Sequence, residues 1–298
     1  MMSEIKMNDK LTAVWDALIA KIESDPGIWS RPWFMTKDGG SIRPSNFSTG
    51  RKYSGFNIFM LEITRQAGGF TSNKWITFNQ CKALNGFVLK GSKGAPIIVF
   101  SPPKYKENDK GERELIRPPF FGSSYVFNIE QTTLTEKESP APAAPEAVFM
   151  TIEEAESLIS KTGAIIIEKP SDRAYYSPGA DHIVIPSIKQ FKTVPEYYGT
   201  KFHELIHWSG HESRLNRLKN NAGFGSESYA REELIAEIGS VFLKTETGIN
   251  DGVDNAAAYI KNWWTAIKDD KGSLIDACAK AQKATDYIMS GAPKKEGS

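Results

Sequence analysis

The stretch HELIHW, residues 203–208, constrains this chain more than any other. His203 and His207 stand four residues apart, and a helix puts such a pair on one face, one turn above the other, close enough to meet. Helical geometry lets both imidazoles aim at one ion, with Glu204 beside them. The run before it, TVPEYYGTKF, supports a helix. Thr193 is placed to cap its start, Pro195 falls in the tolerant first turn, and Glu196 completes a capping box. The pattern is HExxH: two zinc ligands and a carboxylate. Zinc lowers the pKa of a water molecule towards ~7. Glu204 can take that proton and later return one to a leaving amine.

A catalytic zinc needs a third protein ligand and an open position. His211 is near in sequence but follows Gly210, where the helix is expected to end. The spacing HExxHxxGxxH would place a third histidine at position 213, which is Ser213. His211 therefore reads as a polar residue near the rim. Glu233 and Glu237, in YAREELIAEIGSVFL (229–243), lie on one face of a second helix. This looks like the gluzincin arrangement, in which a downstream helix supplies a glutamate ligand and a second acid orients a ligand histidine. By that likeness Glu233 binds zinc and Glu237 orients a histidine; the reverse assignment stays open. Glu232 is turned about 100° from Glu233 and is expected in solvent. Other divalent transition metals also suit a His/His/Glu set.

The 298 residues are enough for two domains. TEKESPAPAAPEAV, with Pro140, Pro142 and Pro145, has no apolar periodicity and reads as a linker. The expected division is residues 1–135, a linker over 136–148, and residues 149–298. No apolar run approaches the ~18 residues that span a bilayer, and the N-terminus lacks the pattern of a signal peptide. Cys81 and Cys278 are far apart and read as buried thiols, which suits a reducing cytoplasm.

Apolar spacing predicts helices at 10–24, 55–66 and from Thr77 to Gly86, with strands at 95–105 and 123–133. The polar stretch between those strands reads as a hairpin tip or loop. After the linker, a helix at 151–163 is followed by three short strands in AIIIEK, RAYYSP and DHIVIP. Helices follow near 194–209, 228–246, 254–269 and 273–289. The fold class is α+β in both halves. The strand DHIVIP, just before the HExxH helix, is a candidate edge for holding an extended peptide. His182 within it reads as a polar strand residue.

Net charge is +1 but unevenly spread. Residues 31–106 hold 12 Lys/Arg against two acids, Asp38 and Glu62, an asymmetry that points to a polyanion. The same region interleaves aromatic with basic side chains, the pattern of single-strand binding by stacking and phosphate contact. The candidates are Arg31, Trp33, Arg51, Lys52, Tyr53, Asn57, Trp75, Lys90 and Lys93, with Tyr53 and Trp75 as stacking residues. Trp29, Phe56, Phe78 and Phe100 fit a core equally well.

YSGFNIFML, WITFNQCKALNGFVLKGSKGAPIIVF, FNIEQT, FHELIHWSGH with Arg214 and Leu215, and YAREELIAEIGSVFL together resemble the ArdC family of plasmid antirestriction proteins. Related segments occur at the N-terminus of plasmid conjugative primases. The resemblance implies an N-terminal domain that binds single-stranded DNA and a C-terminal domain like a zinc metallopeptidase. It also implies protection of incoming DNA during conjugation. Two readings follow: a zinc protease tethered to DNA, or a non-proteolytic shield of single strands whose metal site is structural or occluded.

Overall fold

The computed structural model describes residues 9–24, 43–101, 103–107, 113–118, 120–134, 151–218, 227–249 and 271–291. Arg31, Trp33, Trp29, the linker and the expected helix at 254–269 lie outside these residues. The chain divides into two compact units, residues 1–28 with 44–143, and residues 29–43 with 144–298.

In the first unit, helix α1 (Asp9–Ser24) is followed by β1 (Ser45–Asn46), α2 (Phe56–Gly68), β2 (Lys74–Ile76) and α3 (Phe78–Ala83). Strands β3 (Ala95–Ser101), β4 (Lys104–Glu107), β5 (Arg113–Arg117) and β6 (Phe120–Asn128) complete it. The sheet order is β1-β2-β6-β3, with β1 parallel to β2 and the other pairs antiparallel. Strands β4 and β5 form a separate exposed hairpin where the sequence is polar. Thr77 caps α3 in a full capping box with Gln80, so this short helix starts where its first side chain can take an orphan N–H.

The sheet is covered on both sides at β2. Trp75 packs with Leu61, Ala95, Ile97 and Val126. Its neighbour Ile76 faces the other way and packs with Phe47, Cys81, Ile129 and Leu134. Both are 0% exposed. Trp75 is therefore a core residue and not a stacking platform, and its indole N–H donates to Asn73 Oδ1 at 3.1 Å. The alternation of Lys and Trp in NKWITF reads as a wet surface only if the strand has an open face, and β2 has none.

In the second unit, α4 (Ile152–Thr162) precedes β7 (Ile165–Glu168), β8 (Tyr175–Ser177) and β9 (His182–Ile185). Helices α5 (Val194–Ser209), α6 (Glu227–Thr247) and α7 (Lys271–Met289) follow. The strand order is β7-β9-β8, with β7 parallel and β8 antiparallel to β9. The strand DHIVIP, expected as an edge, is thus central, and β8 takes the outer position. Sheet order depends on how the connections cross, which a single strand's residues do not encode. Helices α5 and α6 approach closely at Gly239, where a Cβ would lie 2.6 Å from the Ile206 side chain. That closeness brings the α6 acids within reach of the α5 histidines.

Candidate metal centre

The start of α5 is built as its residues dictate, with one change. The Thr193 side chain accepts the Glu196 N–H at 3.2 Å. Glu196, however, accepts from the Lys192 N–H at 3.0 Å rather than closing a box on Thr193. The helix then carries Phe202, Leu205 and Ile206 into the core at 0% exposure. His203 and His207 stay on the side facing α6, with side chains 18% and 13% exposed.

The two Nε2 atoms point at each other, 3.1 Å apart. Glu233 faces both, Oε2 at 3.6 Å from His203 Nε2 and Oε1 at 3.5 Å from His207 Nε2. Behind each ring stands another acid of α6. Glu237 Oε1 lies 3.5 Å from His203 Nδ1, and Glu232 Oε1 lies 3.4 Å from His207 Nδ1. Carboxylates at both Nδ1 positions favour the proton there, which leaves both Nε2 lone pairs directed at the same point. Two bare lone pairs and a carboxylate repel unless a cation lies among them. Ligands about 2.0–2.1 Å from a tetrahedral ion stand about 3.3 Å from one another, close to the spacings found here. His203, His207 and Glu233 thus fit a divalent metal, and among the described residues they are the group that converges in this way.

Glu204 is 6% exposed and is not one of the three converging side chains. Burial pushes its carboxyl above the usual carboxylate range, against the charge of His207 and His203 and a hydrogen bond from the Tyr176 backbone N–H. That bond places β8 beside the site. Burial alone would raise Glu233 too, but its contacts with His203, His207 and the Tyr229 hydroxyl hold it low. His203 is drawn up despite its burial by Glu233, Glu237 and Glu204.

Glu232 is the residue that the helical-wheel reading misplaced. It is enclosed, with its side chain 13% exposed, between His207 and Arg217. The Arg217 guanidinium binds it through two nitrogens, Nε at 3.1 Å and NH2 at 2.8 Å. Arg217 also donates to the Ile206 carbonyl at 2.7 Å and to Ser209 Oγ at 3.1 Å. The loop after α5 therefore folds back over the end of that helix. Gly210 permits it, since a Cβ there would lie 2.8 Å from the guanidinium. Arg217 and Tyr229 carry no motif, and the one signal that could have found Glu232, which the sequence reading left in solvent, is that a second ligand histidine needs an acid of its own. His211 is set aside from the centre, with Nδ1 2.8 Å from Ser213 Oγ. Glu232→Ala is expected to weaken metal affinity about 10- to 100-fold by freeing the His207 ring. Competition with a chelator of known affinity measures this, and an unchanged affinity would refute the role.

The other candidates divide. Arg51, Lys52, Lys90 and Lys93 are exposed. Tyr53 is half-buried against the core of the first unit, with its hydroxyl 3.4 Å from Asn46 Nδ2. Asn57 is not free to read a base. Its amide donates to the Ile98 carbonyl at 2.7 Å and accepts the Ile98 N–H at 2.8 Å, pinning the outer edge of β3.

Two family models match this chain. One, described as the N-terminal domain of anti-restriction factor ArdC, covers residues 8–127. The other, described as a zincin-like metallopeptidase, covers residues 153–280. The crystal structure of the antirestriction ArdC protein from plasmid R388, in its metal-free form, is 37% identical. The match covers 96% of this chain and 98% of that one, with a TM-score of 0.72. The chain belongs to the ArdC family of antirestriction proteins. The Mn(II)-bound structure of the same R388 ArdC matches at 34% identity and a TM-score of 0.72, over 97% of this chain and all of that one. A DNA primase TraC of Escherichia coli is 34% identical over 93% of this chain. The ArdC-family chain spans 19% of the length of that primase and 26% of a second TraC. Among the described residues, no helix is long and apolar enough to cross a membrane.

Proposed function

We propose that this chain is a metal-dependent peptidase held on single-stranded DNA, acting in the cytoplasm to protect incoming DNA from restriction during conjugation. One observation carries the peptidase reading: three side chains converge on a point while Glu204, next to them, is not one of the three. A site that only stabilises the fold needs ligands and no such acid. Zinc is the first choice of ion, and the manganese bound by R388 ArdC is the second. When bound, the cation supplies Lewis acidity and makes a water molecule easier to deprotonate. Glu204 accepts the proton and delivers it to the departing amine. The outer strand β8, tied to Glu204 through Tyr176, offers its backbone to an extended peptide. Tyr229, hydrogen-bonded to Glu233, steadies that carboxylate.

DNA binding rests on the excess of basic residues over 31–106 and on the exposed Arg51, Lys52, Lys90 and Lys93. Relatives whose name is DNA primase support the same partner. Tethering raises the effective concentration of proteins that share the strand, so the peptidase needs little intrinsic specificity. Both cysteines are buried free thiols, in keeping with a reducing compartment. The test is cleavage of casein by the metal-loaded protein, with and without a single-stranded oligonucleotide. Cleavage stimulated by DNA and stopped by a chelator is expected. A metal-loaded, DNA-bound protein that cleaves nothing would overturn the peptidase half of this reading.

A further inference from the structure

The ladder between β3 and β6 has two unlike faces. Ala95 pairs with Val126 and Ile97 with Ser124 on the side that α2 covers. Pro96 pairs with Tyr125 on the other side, where Tyr125 is 58% exposed although its neighbour Val126 is 0% exposed. The loop leading into β3 crosses this second face. Gly94 sits so close that a Cβ would lie 3.2 Å from Tyr125 Cβ and 3.2 Å from the Phe127 ring. The same loop is anchored by the Gln131 amide on the Lys93 carbonyl at 3.1 Å. Its tip is a turn closed by the Ser92 N–H on the Leu89 carbonyl at 3.1 Å, with Gly91 at φ 86°. That is the type II geometry, which puts Lys90 at the outer corner. Just before the turn, the extended segment bridged to Thr132 at Val88 turns Phe87 and Leu89 outward, 71% and 47% exposed.

One loop therefore presents Phe87 and Leu89 with the exposed Lys90 and Lys93, and Gly94 of the same loop lies against the strand at the exposed Tyr125. An isolated exposed aromatic is ordinary, but a group of them rimmed by polar residues marks a binding surface. The charge selects the partner. No acid occurs between Glu62 and Glu107. The nearby Glu130 is occupied, its Oε1 accepting from Thr71 N, Thr71 Oγ1 and Ser72 N. Flat rings beside lysines suit unpaired bases on a phosphate backbone, whereas an apolar peptide would gain nothing from the lysines.

We propose that Tyr125 and Phe87 are the stacking residues for single-stranded DNA, with Lys90 and Lys93 on its phosphates. The proposal rests on the single-strand reading above and replaces Trp75 and Tyr53 as the platform. The test is anisotropy of a labelled oligo(dT) with the full chain at several salt concentrations. Tyr125→Ala and Phe87→Ala should each weaken binding about 10- to 100-fold, and Tyr125→Phe should bind like the wild type. The pair Lys90→Ala/Lys93→Ala should flatten the slope of log affinity against log salt by about 1.4. Both side chains are exposed, so thermal melting should be unchanged in either alanine variant. If the wild type binds and both alanine variants bind equally well, the platform is elsewhere and the tether stands. If the wild type itself fails to bind at low salt, the tether falls and the platform with it.

Discussion

His203→Ala is expected to leave the chain without stoichiometric metal while the second unit stays folded. The three converging side chains have spacings of 3.1, 3.5 and 3.6 Å, so each supplies one corner of the same cage. Removing His203 leaves one imidazole and one carboxylate, which also occur as a pair on many surfaces without holding an ion. The loss should exceed the 10- to 100-fold typical of an outer partner such as Glu232. Folding should survive because the apolar side of α5 is carried by Phe202, Leu205 and Ile206, which the substitution does not touch. Elemental analysis after gel filtration reads the metal directly. Melting gives a second measure, since a ligand that binds only the folded state raises the midpoint with its concentration. The wild type should show that rise and His203→Ala should not. One equivalent of metal retained in the variant would remove His203 from the ligand set.

The centre was legible in sequence wherever function depends on spacing along one helix. HExxH fixes the relation of His203, Glu204 and His207, and the step of four fixes Glu233 against Glu237. Contacts that depend on where a loop returns were not legible. Arg217 reaches Glu232 only because residues after Gly210 double back over α5, and no spacing rule carries that path. A helical wheel gives the rotation of Glu232 about its own axis, but not that His207 and Arg217 close over it. The first unit shows the same limit. The basic and aromatic composition picks out a stretch of sequence, but composition does not say which face of a strand is covered. Trp75 lies in a strand with both faces packed, whereas Tyr125 and Phe100, at 58% and 57% exposure, lie where one face is open. Phe78, which by sequence fits a core as well as a surface, is 57% exposed on α3.

Glu204→Gln separates the two functional readings most sharply, because it changes the chemistry while nearly preserving shape. The amide oxygen can still accept the Tyr176 N–H, so β8 and α5 should keep their contact. The three converging side chains are untouched, and full metal content is expected. Burial already disfavours charge at this position, so removing the charge should leave stability unchanged or slightly higher. What the amide cannot do is accept a proton and return it. Loss of a positioned general base costs on the order of 10²- to 10⁴-fold in rate. Casein cleavage should therefore fall to background while metal and oligo(dT) binding stay at wild-type values. Cleavage at the wild-type rate would take the proton away from Glu204 and require another base, with Glu237, 3.5 Å behind the His203 ring, already engaged. If neither protein cleaves although both hold metal and DNA, the converging histidines serve a protein that covers single strands rather than one that cuts what is bound to them.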